Sequence, residues 1–323
     1  MRSIFGDKSL NLKVKFGKSK ERINIEYYIT QEEFNQLRSE SKSINEIVRI
    51  IGFPSTEKTF QKYAKQLGWS IGKKVYGNNA RVSVNEDFFK TWTSDSAWVY
   101  GWLLTDGYVD ESNGHIKLML KQDDKSVLEK IKAVMDFDGA IYDGEQKDGR
   151  KFSYLRVCRK SMTEDLYNIG MARENKTFNT ALPDIPNDLF WDFMRGVTEG
   201  DGNISHKTGN TDALCVTITG ATKKFMKDVQ EQLLERGVST HLYIREAHSV
   251  SGNKAEMYSL YTKSNADALR MCFFMYANTP KSRRLDRKFA IYENYVRTYY
   301  DHIRRRSAPC IELVELSRQN IAA

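Results

Sequence analysis

Between residues 27 and 70 the apolar positions fall into three short helical periods separated by polar breaks. Thr30, with Glu33 three residues later, predicts a capping box that opens the first. Ser43 opens the second, in which Ile44, Ile47, Val48 and Ile51 fall at i, i+3, i+4 and i+7. Gly52 and Pro54 break it. Ser55 or Thr56 then caps a third helix that turns Phe60, Ala64 and Leu67 inward and stops at Gly68. Lys58, Gln61, Lys62 and Lys65 stay on its outer face. Two helices joined by a short glycine-containing turn, the second basic outside, make a helix-turn-helix pattern.

From residue 91 onward helical and alternating periods take turns, and they do so twice. The first run predicts a helix from Ser94 to Asp106, a strand over 115–122 and a helix from Lys125 to Met135. Strands over 139–145 and 151–160 and a helix from Met162 to about Ile169 follow. A polar connector over 172–188 leads to the second run. This predicts a helix ending at Asp201, a strand over 213–220, a helix from Lys223 to Glu235, strands over 239–246 and 256–263, and a helix from Asn265 to Tyr276. The order of elements agrees, so the expected class is α+β with two similar halves.

Two short strings mark the repeat. Gly101 precedes Asp106-Gly107 and Gly196 precedes Asp201-Gly202, with 95 residues between equivalent positions. Gly196 and Gly200, like Gly101 and Thr105, are small residues four apart, a spacing that lets helix backbones approach closely. Gly107 and Gly202 suit a left-handed residue that ends a helix. Helices packed side by side through Gly101, Gly196 and Gly200 would bring Asp106 and Asp201 together at their carboxyl ends. There the helix dipole is negative and the two acids repel each other, which calls for a compensating cation. Carboxylate oxygens suit a hard ion such as Mg2+, with Mn2+ as a substitute, and such ions serve phosphodiester cleavage. A calcium loop starting at Glu199 fails, because it requires glycine at 204 and glutamate at 210, where the chain has Ile204 and Asn210.

Charge adds a partner. The net charge is +8 overall, split as +7 over residues 1–90, −4 over 91–270 and +5 over 271–323. Basic ends suggest a polyanion. Cys158, Cys215, Cys272 and Cys310 are widely spaced with no CxxC, and read as reduced structural thiols. No apolar run approaches the ~20 residues of a membrane span, and the start lacks the apolar core of a signal peptide. The expectation is a cytoplasmic protein with no membrane partner.

The strings Val99–Gly107 and Met194–Gly202 resemble the paired motifs of the LAGLIDADG homing endonucleases in their single-chain, two-repeat form. The sixth motif position, often acidic in that family, is Leu104 in the first copy and Glu199 in the second. The resemblance covers about residues 94–300 and implies two pseudo-symmetric αββαββα-like halves packed through their motif helices, in a monomer that is an internal pseudo-dimer. It implies that Asp106 and Asp201 bind metal and that the sheets lie in the major groove of double-stranded DNA. It also implies a water-organising lysine or glutamine near each acid, for which Gln122 and Lys176 in the first half and Lys288 in the second are the choices. Lys121 and Lys281 lie close to these in sequence. The expected domains are a helix-turn-helix unit with linker (1–90), two repeats (91–186 and 187–300) and a basic tail (301–323). Lys58, Gln61, Lys62 and Lys65 would make a second DNA contact. The function expected is site-specific, magnesium-dependent double-strand cleavage of a long asymmetric target. An intron maturase that binds RNA and a catalytically silent transcription regulator are the alternatives.

Overall fold

The computed structural model describes residues 25–39, 44–69, 82–110, 112–207, 213–248, 254–302 and 307–322. The chain divides into two compact units, Met1–Asn78 and Asn79–Ala323.

The first unit holds α1 (Gln31–Ser39), α2 (Ile44–Ile50) and α3 (Glu57–Gln66). The capping box forms: the Thr30 amide donates to Glu33 Oε2 at 2.9 Å and the Glu33 amide donates to Thr30 Oγ1 at 3.2 Å. Thr56 caps α3 by accepting from the Thr59 amide. Ser43 lies outside the described residues. Phe34, Ile47, Phe60 and Ala64 form the buried centre, but Leu67 is 43% exposed, against expectation. Gly68, at φ +74°, reverses the chain there, and Trp69 turns in instead, its ring 5.6 Å from that of Phe34.

The second unit is α+β and carries the repeat. Its first half runs α4 (Ser94–Asp106), β1 (Gly107–Asp110), β2 (His115–Lys121), α5 (Lys125–Val134), β3 (Tyr142–Glu145), β4 (Lys151–Cys158), α6 (Lys160–Asn168) and the single turn α7 (Lys176–Asn179). Its second half runs α8 (Phe190–Asp201), β5 (Gly202–Lys207), β6 (Ala213–Gly220), α9 (Lys223–Glu235), β7 (Thr240–His248), β8 (Lys254–Thr262) and α10 (Asn265–Tyr276). Helices α11 (Asp286–His302) and α12 (Ala308–Ala322) complete the described chain. Each half builds a four-stranded antiparallel sheet, ordered β1-β2-β4-β3 and β5-β6-β8-β7. One buried core joins the two halves, from Trp98 and Leu118 through Phe193 and Ile218 to Tyr295.

Three features depart from the sequence expectation. Strands β1 and β5, which the αββαββα resemblance implies, have no counterpart in the elements read from periodicity, because each motif helix passes directly into extended chain. Gly107 and Gly202 accordingly have φ of −83° and −90°, not the left-handed values expected of them. Glycine is required there for space: a Cβ would lie 2.6 Å from Leu103 Cα at the first site and 2.8 Å from Thr198 Cα at the second. Third, the segment read as a basic tail contains α12, whose Cys310, Leu313 and Val314 are buried, with Ser317 bonded to the Tyr292 hydroxyl at 2.5 Å.

Candidate active site at the joined motif helices

Helices α4 and α8 touch backbone to backbone. A Cβ on Gly101 would stand 2.5 Å from the Phe193 carbonyl oxygen and 2.9 Å from Gly196 Cα, and one on Gly196 would stand 3.0 Å from Gly101 Cα. Only glycine at both positions permits that crossing. At Gly200 a Cβ would overlap the Thr105 side chain and stand 2.9 Å from Asp106 Oδ2. The Asp106 carboxylate therefore rests against the last turn of the opposite helix, one residue from Asp201.

The two aspartates keep exposed outer faces, while protein packed behind them removes part of their hydration. That desolvation raises both carboxyl pKa values, and the charge of Asp106 adds to the rise at Asp201, which reaches about 6. Thr105 offsets part of the rise at Asp106: its hydroxyl stands 3.2 Å from Asp106 Oδ2, with the Trp102 carbonyl as a competing acceptor at 3.1 Å.

Each helix end is closed by a lysine from a distant segment. Lys176 Nζ, on α7, donates to the carbonyls of Leu103 (2.8 Å), Thr105 (3.3 Å) and Gly107 (2.5 Å). Lys288 Nζ, on α11, donates to Thr198 (2.8 Å), Glu199 (2.6 Å) and Gly202 (2.6 Å), with Gly200 at 3.5 Å. Leu103, Thr105 and Gly107 are the repeat equivalents of Thr198, Gly200 and Gly202. The ammonium groups thus take the place of a glycine cap: they satisfy carbonyls the helices leave open and set positive charge against the negative dipole ends. Burial lowers both lysine pKa values to about 8, at Lys288 with a further push from Arg287, while Asp106 and other acids oppose the fall.

The halves differ inside the helices. Glu199, fully enclosed, accepts from Trp98 Nε1 at 2.9 Å, a bond that crosses from α4 to α8, and from the Leu285 amide at 2.8 Å. Burial raises its pKa. Arg195 is equally buried, held by Asp192 at 2.7 Å and by the carbonyls of Met275 and Arg283. Their equivalents in α4 are Leu104 and Tyr100. The start of α11 is fastened to the first half: Arg287 makes two 2.8 Å bonds to Asp124, and Lys130 meets Asp286 at 2.9 Å. Arg283 also pairs with Asp95. Sequence reading missed these contacts. Glu199 and Arg195 were visible as charges in an otherwise apolar helix stretch, but nothing local identified their partners.

The other expected residues lie where they can be stated simply. Gln122 is exposed in the turn after β2. Lys58, Lys62 and Lys65 are exposed on α3 in the first unit, and Gln61 Nε2 is bonded to Glu57 Oε1 at 2.6 Å.

Asp106 and Asp201 fit a hard divalent cation. They are oxygen donors at adjoining helix ends, and repulsion between them is what a bound cation relieves. Among the described residues no group of three or more His, Cys, Asp or Glu side chains is arranged to hold a metal. A two-carboxylate set suits magnesium, which keeps several waters and takes further oxygens from substrate phosphate.

Among solved structures, the chain is similar to full-length DUF199/WhiA from Thermatoga maritima, at 12% identity over 74% of this chain and 72% of that one, with a TM-score of 0.42. It is also similar to mesophilic variants of the homing endonuclease I-DmoI, at 16% identity over 62% and 97% of the two chains, with a TM-score of 0.41. The homing endonuclease I-WcaI bound to its DNA recognition sequence gives 16%, 68%, 95% and 0.40 for the same measures. No curated protein matches the sequence significantly. No helix among the described residues is long and apolar enough to cross a membrane. Residues 192–272, from within α8 to within α10, match the family model of the LAGLIDADG-like domain.

Proposed function

We propose that the protein is a site-specific endonuclease that makes a double-strand break in a long, asymmetric duplex DNA target. The observation that carries this reading is the pairing of Asp106 and Asp201 at adjoining helix ends, each backed by a lysine bonded to the helix-end carbonyls, half-buried at Lys176 and buried at Lys288. Asp106 and Asp201 would hold magnesium, or manganese in its place, and the metal supplies positive charge at the scissile phosphate. Lys176 and Lys288 act in positioning. Each fixes the last turn of its motif helix and so the aspartate that turn carries, and each contributes positive potential beside the phosphate-binding face. Gln122, exposed beyond the end of β2, is available to hold a water at the rim. Lys58, Lys62 and Lys65 give the first unit a cationic helix face for a further stretch of duplex, and Gln61 is the base-reading candidate beside them.

The domains proposed are a helix-turn-helix unit with its linker (1–90), two LAGLIDADG repeats (91–186 and 187–300) and a C-terminal extension (301–323). The chain works as a monomer, since the two repeats supply both aspartates. The setting proposed is the cytoplasm of a bacterial or phage-infected cell, with the gene part of a mobile element that homes into intron-free DNA.

The test is incubation with Mg2+ and the DNA that flanks its own gene, intron removed. A single double-strand cut, absent in EDTA and absent with Asp106→Asn, is expected. Tight duplex binding without any cut would assign a silent regulator. Selective binding of a folded intron RNA would assign a maturase.

A further inference from the structure

The two sheets share one scaffold and present different chemistry from it. We infer that they read the target unequally: β1–β4 makes the discriminating base contacts and β5–β8 makes tolerant ones. This rests on the duplex-binding reading above.

Register fixes the equivalences. Gly107 pairs with Leu118 and Gly202 with Ile218, and these in turn pair with Leu155 and Leu260. Lys117 therefore corresponds to Thr217, Met119 to Thr219, and Arg156 to Tyr261. Leu118, Leu155, Ile218 and Leu260 are buried beneath the helices. Because side chains alternate across a strand, the corresponding residues one step away occupy the open face.

On the first sheet that face is cationic and aromatic. Lys117 and Arg156 are direct cross-strand partners. Lys117 Nζ sits 4.4 Å from the centroid of the Tyr154 ring, which stacks on Tyr142 at 5.3 Å. The ammonium is held over a rigid aromatic base. Asp110, the acid at the far end of β1, is already bonded to Ser112 and Asn113. On the second sheet the same positions carry hydroxyls. Thr219 and Ser259 share a 3.4 Å contact, and Arg245, the cation on β7, donates to the Tyr261 hydroxyl at 3.2 Å.

The chemistry of base edges separates these sets. Guanine offers two acceptors, O6 and N7, to the major groove, and lysine or arginine is their usual partner. A wrong base leaves a desolvated cation without an acceptor. A hydroxyl both donates and accepts, so it satisfies any base edge directly or through water. Guanine is thus the base expected beneath Lys117 and Arg156, and bases opposite Thr217 and Thr219 are expected to be interchangeable.

The inference is tested by selecting bound sequences from a random duplex library with the full chain carrying Asp106→Asn and Asp201→Asn, which is expected to bind without cutting. One half-site is expected to show a guanine whose replacement weakens binding on the order of tenfold or more. Lys117→Thr, which installs the counterpart's chemistry on an open strand face, should flatten that half-site alone. Thr217→Ala should change preference in the other half-site by about twofold or less. Equal discrimination in both halves, or a steeper one in the half that Thr217→Ala alters, overturns the inference while leaving duplex recognition intact. Failure to enrich any duplex sequence overturns the duplex-binding reading itself, and the inference with it.

Discussion

Helices α4 and α8 end alike and are built differently on the way there. Both finish Asp-Gly, both pass straight into a strand, and both have their last carbonyls taken by a lysine from another segment. Between those ends, α4 buries Tyr100 and Leu104 where α8 buries Arg195 and Glu199. The polar pair in α8 is bonded to α4 and to the segment leading into α11, whereas Tyr100 and Leu104 supply no such bond and α4 reaches that segment through Asp95, paired with Arg283. The comparison teaches that the shared constraint sits at the acid-bearing ends and the glycine crossing. The interior positions differ and meet different neighbours.

Breaking the shared end gives the largest expected effect. Asp106→Asn or Asp201→Asn is expected to reduce double-strand cleavage below detection on plasmid DNA, with duplex affinity unchanged or higher because a negative charge near phosphate is lost. Normal cutting by either variant would make that acid structural.

The crossing comes next. Gly196→Val forces a side chain into the Trp98 carbonyl and the backbone of α4, and overpacking of this kind costs about 3 kcal/mol or more. A thermal melt that stays within a degree or so of wild type would show that α4 and α8 do not meet as described.

The lysine caps sharpen the comparison. Lys288→Met and Lys176→Met strip donors from helix-end carbonyls, at about 1–3 kcal/mol each by denaturant unfolding. The loss at 288 is expected to be the larger, because Lys288 is 3% exposed and also engages the Glu199 carbonyl. If both variants lose cleavage rate with no change in stability, the ammonium acts in chemistry and not as a cap.

Comparable in size, and specific to α8, is Glu199→Leu. It copies the α4 residue but leaves Trp98 Nε1 and the Leu285 amide without an acceptor, at about 1–3 kcal/mol. Glu199→Gln keeps an acceptor oxygen and is expected to recover most of that loss.

The smallest effect is in pH. Asp201 titrates near 6 in the folded chain, above the ordinary value of 3.8. The folded state therefore binds this proton before the unfolded chain does, and the stability so gained is full below the unfolded value and lost as pH rises through about 6. Without metal, wild type is expected to gain stability relative to Asp201→Asn as pH falls from 7 to 4. Stabilisation by Mg2+ is expected to fade below about pH 6, since the metal needs the carboxylate. Asp106→Asn removes the repulsion and should move that midpoint lower. A midpoint unmoved would mean the two carboxylates do not sense each other.

The sequence by itself determined the elements with strong local signals. Capping at Thr30 and at Ser55 or Thr56, the periodic faces of the helices, and the repeated strings at Gly101–Gly107 and Gly196–Gly202 all depend on residues within a turn or two of one another. The Asp-Gly strings also foretold the backbone approach, since only small residues allow it. What only the tertiary structure decided was everything that acts across the fold. Gly107 and Gly202 were misread as left-handed caps because the real caps, Lys176 and Lys288, lie 69 and 86 residues further along the chain. The same holds for Trp98 and Glu199, Arg287 and Asp124, and the burial of α12. A charged residue announces itself in a sequence, but the carbonyl or carboxylate that satisfies it is chosen by packing, and packing brings together positions that no local period relates.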